Sequence, residues 1–120
     1  MNPATKACIA YVAGRLLSGK AMTSIYDHSQ AKHVQFSGSL DKQTVSIYDH
    51  ARGCHFGGTF DGTTFNLYDY GGKHYVSLTL EQARFSGYDY GSKHHFSGTL
   101  NGNTVSVFDY NGRGYAQYTM

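Results

Sequence analysis

The chain of 120 residues has no tryptophan, one proline and two cysteines, and only 15% of its residues are charged. Cys8 and Cys54 are too few for a disulfide framework. A formal net charge of +2 gives no sign of the clustered basic face of a nucleic-acid binder, so nucleic acid is not an expected partner. No uninterrupted apolar run approaches eighteen residues, which excludes a membrane-spanning helix. What is abundant is glycine (15) and tyrosine (11), a skew that points to repeated strands and turns.

Those residues recur with a fixed period. Aromatic-Asp pairs stand at Tyr26-Asp27, Tyr48-Asp49, Tyr68-Asp69, Tyr88-Asp89 and Phe108-Asp109, one spacing of 22 followed by three of 20. Phe36, Phe56, Val76, Phe96 and Ala116 lie twenty apart, and glycine follows two residues later at Gly38, Gly58 and Gly98. Each unit of twenty divides into two strands and two turns. Asp61-Gly62, Asn101-Gly102, Asn111-Gly112 and Gly71-Gly72 are good turn dipeptides, with Asp41-Lys42, Ala51-Arg52, Glu81-Gln82 and Gly91-Ser92 in equivalent places. Ten strands are therefore expected near 22–28, 33–40, 43–50, 53–60, 63–70, 73–80, 83–90, 93–100, 103–110 and 113–120. The single spacing of 22 is assigned to a longer first loop, Ser29 to Lys32.

Period-two alternation gives one apolar face, carrying Val45, Ile47, Phe56, Phe65, Leu67, Val76, Leu78, Phe85, Phe96, Val105 and Val107. Two-residue turns put Gly38 opposite Val45, Gly58 opposite Phe65 and Gly98 opposite Val105, a device that curls a sheet. Residues 3–18 differ. They are rich in alanine and carry helical spacing at Cys8, Ile9, Val12 and Leu16, with Asn2-Pro3 as a start and Gly19 as a stop. A signal peptide is the rival reading of this stretch, weakened by Arg15 and by the lack of a cleavage pattern. Cytoplasmic localisation is favoured on that ground, with an extracellular location as the alternative.

A ten-stranded barrel has a backbone radius of about 10 Å, and a helix with its side chains is about 10–12 Å across. The expected fold is mainly β with one helix: a single domain, 1–120, in which a ten-stranded antiparallel up-and-down meander curls or closes around the N-terminal helix. An open sheet clasping the helix is the alternative.

Two constellations bear on function. Five acids, Asp27, Asp49, Asp69, Asp89 and Asp109, recur on the core face at one strand end, with His74 and His94 near them. An Asp/His rim of this kind supports a metal-binding or hydrolytic alternative. Strict repetition argues instead that each Asp accepts N–H groups of its own turn. Lys6 or the helix N-terminus would then neutralise the ring. The second constellation faces outward: Tyr26, Tyr48, Tyr68, Tyr88 and Phe108, joined by His50, Tyr70, Tyr90 and Tyr110, with His55, Tyr75, His95 and Tyr115 opposite. Cross-strand aromatic pairing alone accounts for such a belt at about 0.2–1 kcal/mol per pair. As a surface, it suits a glycan or a protein.

The functional expectation is a β-repeat binding protein, not an enzyme, needing no cofactor or metal and inserting in no membrane. Its contact residues are Tyr48, Tyr68, Tyr88, His55, Tyr75, His95, Tyr70, Tyr90 and Tyr110. It is expected to be a monomer or a weak homo-oligomer, and a self-associating scaffold without a small ligand is the other alternative. Outward Ser and Thr with inward apolar residues are the reverse of a lipid-facing barrel.

Overall fold

A computed structural model describes residues 1–120. Helix α1 (Pro3–Ser18) is followed by β1 (Ser24–Asp27), β2 (Lys32–Leu40), β3 (Thr44–Asp49), β4 (Cys54–Phe60) and β5 (Phe65–Asp69). The second half holds β6 (His74–Glu81), β7 (Arg84–Asp89), β8 (His94–Asn101), β9 (Thr104–Asp109) and β10 (Gly114–Thr119). Each strand pairs antiparallel with its chain neighbours, and β1 pairs with β10, so the sheet is a closed barrel. Closure leaves no free strand edge.

The helix fills the lumen. Asn2 accepts the Thr5 amide at 2.8 Å, Pro3 opens the first turn, and Gly19 ends it with a left-handed φ of 71°. Ala7 through Gly14 are all buried, on every side of the helix. Its neighbours come from around the barrel: Thr5 bonds Asp69 of β5, Tyr11 stacks on Phe36 of β2 with centroids 4.2 Å apart, and Gly14 lies against Val105 of β9. Small residues let α1 pass between inward phenylalanines. Twenty-three buried apolar residues of helix and barrel form one core.

The two ends of the barrel are built from different hairpins. At the end near the helix C-terminus, Leu40 pairs with Val45, Phe60 with Phe65, and Leu100 with Val105. The turn centres are therefore 42–43, 62–63, 82–83 and 102–103, one residue later than the expected dipeptides. Asp41 and Asp61 reinforce the shift at two of the four turns, while 82–83 and 102–103 take the same register without such a cap. Both aspartates stand before the turn, and each carboxylate accepts the amides two and three residues on, at 2.8–2.9 Å. As a result Gly38, Gly58 and Gly98 face Ile47, Leu67 and Val107, and not Val45, Phe65 and Val105. A displacement of two residues keeps every side chain on its expected face. Glycine is required at these points by close approach: a Cβ on Gly98 would strike the Phe85 ring and the Ser106 carbonyl.

At the other end the loops hold four residues each, not two. The amides of Gly53, Lys73, Lys93 and Arg113 close onto the carbonyls of Asp49, Asp69, Asp89 and Asp109 at 2.7–2.8 Å, with these four residues at positive φ. The first loop, 28–31, has the same length, because Asp27 pairs with Lys32 as Asp49 pairs with Cys54. The expected longer loop is therefore absent. The two extra residues lie in β2, which has nine residues against seven in β4.

Candidate functional site

The four-residue loops place two concentric sets of side chains at one barrel end. The inner set is the five aspartates, all buried. Each caps its own loop: Asp27 accepts from the Ser29 and Gln30 amides, Asp49 from Ala51 and Arg52, and Asp69 from Gly71 and Gly72. Asp89 accepts from Gly91 and Ser92, and Asp109 from Asn111. The remaining charge is met differently at each position. Gln30 serves Asp27, Arg52 bridges Asp49 and Asp69 at 2.8 and 2.9 Å, and Lys6 lies 3.6 Å from Asp109. His74 stands 3.0 Å from Asp89 and 3.8 Å from Asp69. The helix N-terminus faces this ring with Thr5, Lys6 and Cys8, as its dipole favours.

These contacts set the electrostatics. Burial alone would raise the Asp69 carboxyl, but bonds from Thr5, the Gly72 amide and Arg52 outweigh it and hold the group below its ordinary value. Asp109 is likewise lowered despite burial, by the Met1 amino group 2.9 Å away, the Asn111 amide and Lys6. Burial, and then the Asp49 charge, push the Cys8 thiol well up. His94, expected beside Asp109 or Asp89, pairs with Asp89 in the ladder but turns its ring to the Ser92 carbonyl at 2.7 Å. No three His, Cys, Asp or Glu side chains are grouped to hold a metal ion. Arg52, the main partner of the ring, was legible in sequence only as a turn residue.

The outer set forms five aromatic triads. In each, a half-buried ring on the strand before the loop is flanked by the residue after its aspartate and by its cross-strand partner, edge-on in every pair except the tilted Phe108–Tyr115. Tyr48 lies between His50 and His55, Tyr68 between Tyr70 and Tyr75, and Tyr88 between Tyr90 and His95. Phe108 lies between Tyr110 and Tyr115. Centroid separations in these four are 4.7–5.0 Å. The nine expected contact residues all fall in them.

The fifth triad, Tyr26 between His28 and His33, extends the expected set. Its signal was available: His28 follows Asp27 as His50 follows Asp49, and His33 precedes His55 by the same 22 residues. The flanking rings point to solvent, with Tyr70, Tyr75 and Tyr115 exposed by 58%, 61% and 73%. Between triads the outer wall is indented. One groove of about 650 Å³ runs past Ser77, Ser86, Gly87, Tyr88, His95 and Tyr110, and another of about 520 Å³ past Thr44, Ser46, His55, Gly57, Thr59 and Tyr70.

No protein-family model matches the chain, and neither a curated protein nor a solved structure is detectably similar to it.

Proposed function

We propose that this protein is a binding module whose ligand is a glycan held by the outer Tyr/His belt. The observation that supports this reading is the repeated triad, which turns five exposed edges of aromatic and imidazole rings outward at one end of a rigid barrel. Edge-to-face packing fixes each outer ring against its half-buried centre, which reduces the rotamer freedom a ligand would otherwise have to remove. Beside the rings, the grooves offer Ser and Thr hydroxyls, the donors and acceptors that sugar hydroxyls need. The inner aspartates are committed to their loops and to the helix, and act here as supports for the belt.

The test is a proton–carbon NMR spectrum of the aromatic side chains during titration with a panel of oligosaccharides, alongside measurement of the solution mass. Shifts confined to the triad rings, with the mass remaining near 13.2 kDa, support the reading. Shifts at His74, which stands between Asp69 and Asp89, would move the site to the inner ring. A mass that doubles, with no sugar response, would assign the belt to self-association.

A further inference from the structure

The small net charge conceals a difference between the barrel ends: one exposes acids and bases together, with Lys20, Lys42 and Arg84 beside its carboxylates, and the other exposes bases alone. Of the eight acidic residues, Asp27, Asp49, Asp69, Asp89 and Asp109 are buried within the belt end. The other three, Asp41, Asp61 and Glu81, are exposed, and all sit in the hairpins of the opposite end. Basic groups are not withdrawn in the same way. Lys32, Lys73, Lys93 and Arg113 are exposed in or beside the four-residue loops. Three of them occupy the positive-φ position that closes the loop, which holds them in a repeated place. All seven histidines are also at this end. The rim around the belt therefore presents exposed cations and imidazoles and no exposed carboxylate side chain. The two sets meet in one groove, where Lys93 and His94 stand beside Tyr88, His95 and Tyr110.

We infer that the glycan bound by the belt is acidic, a repeating saccharide bearing carboxylate or sulfate groups. This inference rests on the belt reading and adds the charge of the ligand to it. A repeating anionic chain matches a rim that sets exposed cations, Lys73, Lys93, Arg113 and Lys32, in or beside four successive loops of the five, so successive acidic groups meet successive Lys or Arg side chains. Ring geometry favours saccharide over a single-stranded nucleic acid. Successive bases of a strand stack on successive aromatic faces, whereas neighbouring rings of the belt meet at 57–85° and form no run of parallel platforms. Burial of the five aspartates is what makes the rim attractive to an anion.

The experiment measures affinity for oligogalacturonate, for its fully methyl-esterified neutral form and for a single-stranded oligonucleotide of similar charge, at 50 and 200 mM NaCl. Two variants accompany it, Lys93→Gln with Arg113→Gln, and Tyr70→Ser with Tyr110→Ser, each checked for an unchanged thermal midpoint. The acid should bind at least tenfold more tightly than the ester and weaken at least tenfold at the higher salt. Both variants should lose tenfold or more. Equal binding of acid and ester would overturn the charge inference and leave the belt reading standing. Loss in the cation variant alone would reduce the effect to unspecific attraction and overturn the saccharide assignment. Tighter binding of the oligonucleotide would replace the ligand class, and binding of none of the three would sink belt and charge together.

Discussion

Replacing Arg52 by methionine tests the inner ring most directly. The guanidinium bonds Asp49 at 2.8 Å and Asp69 at 2.9 and 3.1 Å, and it reaches Cys8 at 3.4 Å. Removing one partner from a buried ion pair costs about 3–5 kcal/mol. Both carboxylates keep their loop amides and the Arg52 side chain is 20% exposed, so the lower end, about 3 kcal/mol, is expected. An unfolding entropy of about 0.25 kcal/mol/K for a chain of this size converts that into a midpoint about 12 °C lower.

The pH dependence gives the charge signature. The folded-state pKa of Asp69 is depressed, so its contribution is complete above the unfolded value near 3.9 and is lost as pH falls through the lower folded value. The gap between Arg52→Met and the parent should be full at pH 7 and close as pH drops below about 4. Urea unfolding at pH 7 and pH 3 reads both quantities. A loss under 1 kcal/mol at pH 7 would refute the argument. So would a gap that stays the same at pH 3, which would assign the effect to lost packing and not to charge.

Three further outcomes are expected. Gly98→Ala should cost about 2 kcal/mol by driving a methyl group into Phe85 and the Ser106 carbonyl, whereas Gly112→Ala, which meets nothing within 4 Å, should change stability by less than about 0.5 kcal/mol; paired urea titrations decide. The Tyr118 hydroxyl is buried without a partner, so Tyr118→Phe should raise stability by about 1 kcal/mol in the same assay. A thiol reagent should label Cys54, which is partly exposed, well before Cys8, which is fully buried with its thiol pKa raised; equally fast labelling would contradict a helix enclosed by the barrel.

Much of this architecture is written locally in the chain. Asn2, Pro3 and Gly19 mark the helix because capping depends on a few adjacent residues. The strands follow from a period of two that is seldom broken, and the same alternation marks the core face; in one unit Leu78 stands where the others have glycine and faces Gly87 across the ladder. Cross-strand register was less legible. Asp61-Gly62 and Asn101-Gly102 resemble turn centres, but in both the centre lies one residue on, in the first with the Asp61 carboxylate bonded to two amides and in the second without such a cap. Dipeptide preference alone does not set the register there, and only the chain geometry shows it. The belt was readable because its rings repeat. Arg52 was not, since nothing in the sequence around it shows that a second aspartate, 17 residues on, shares its guanidinium.

A ring of repeats wound on a helix has consequences for how such a chain can change over evolutionary time. Open arrays gain or lose units freely, because each unit touches only its neighbours. Here every hairpin also touches α1, and β1 must meet β10. A barrel of eight strands would shrink to a radius of about 8 Å, and one of twelve would widen to about 12 Å. The first could not admit a helix with its side chains, and the second would leave a void around it. Deleting one unit of twenty residues should thus abolish folding outright, and duplicating one should too. The width of a single α-helix fixes the copy number at five.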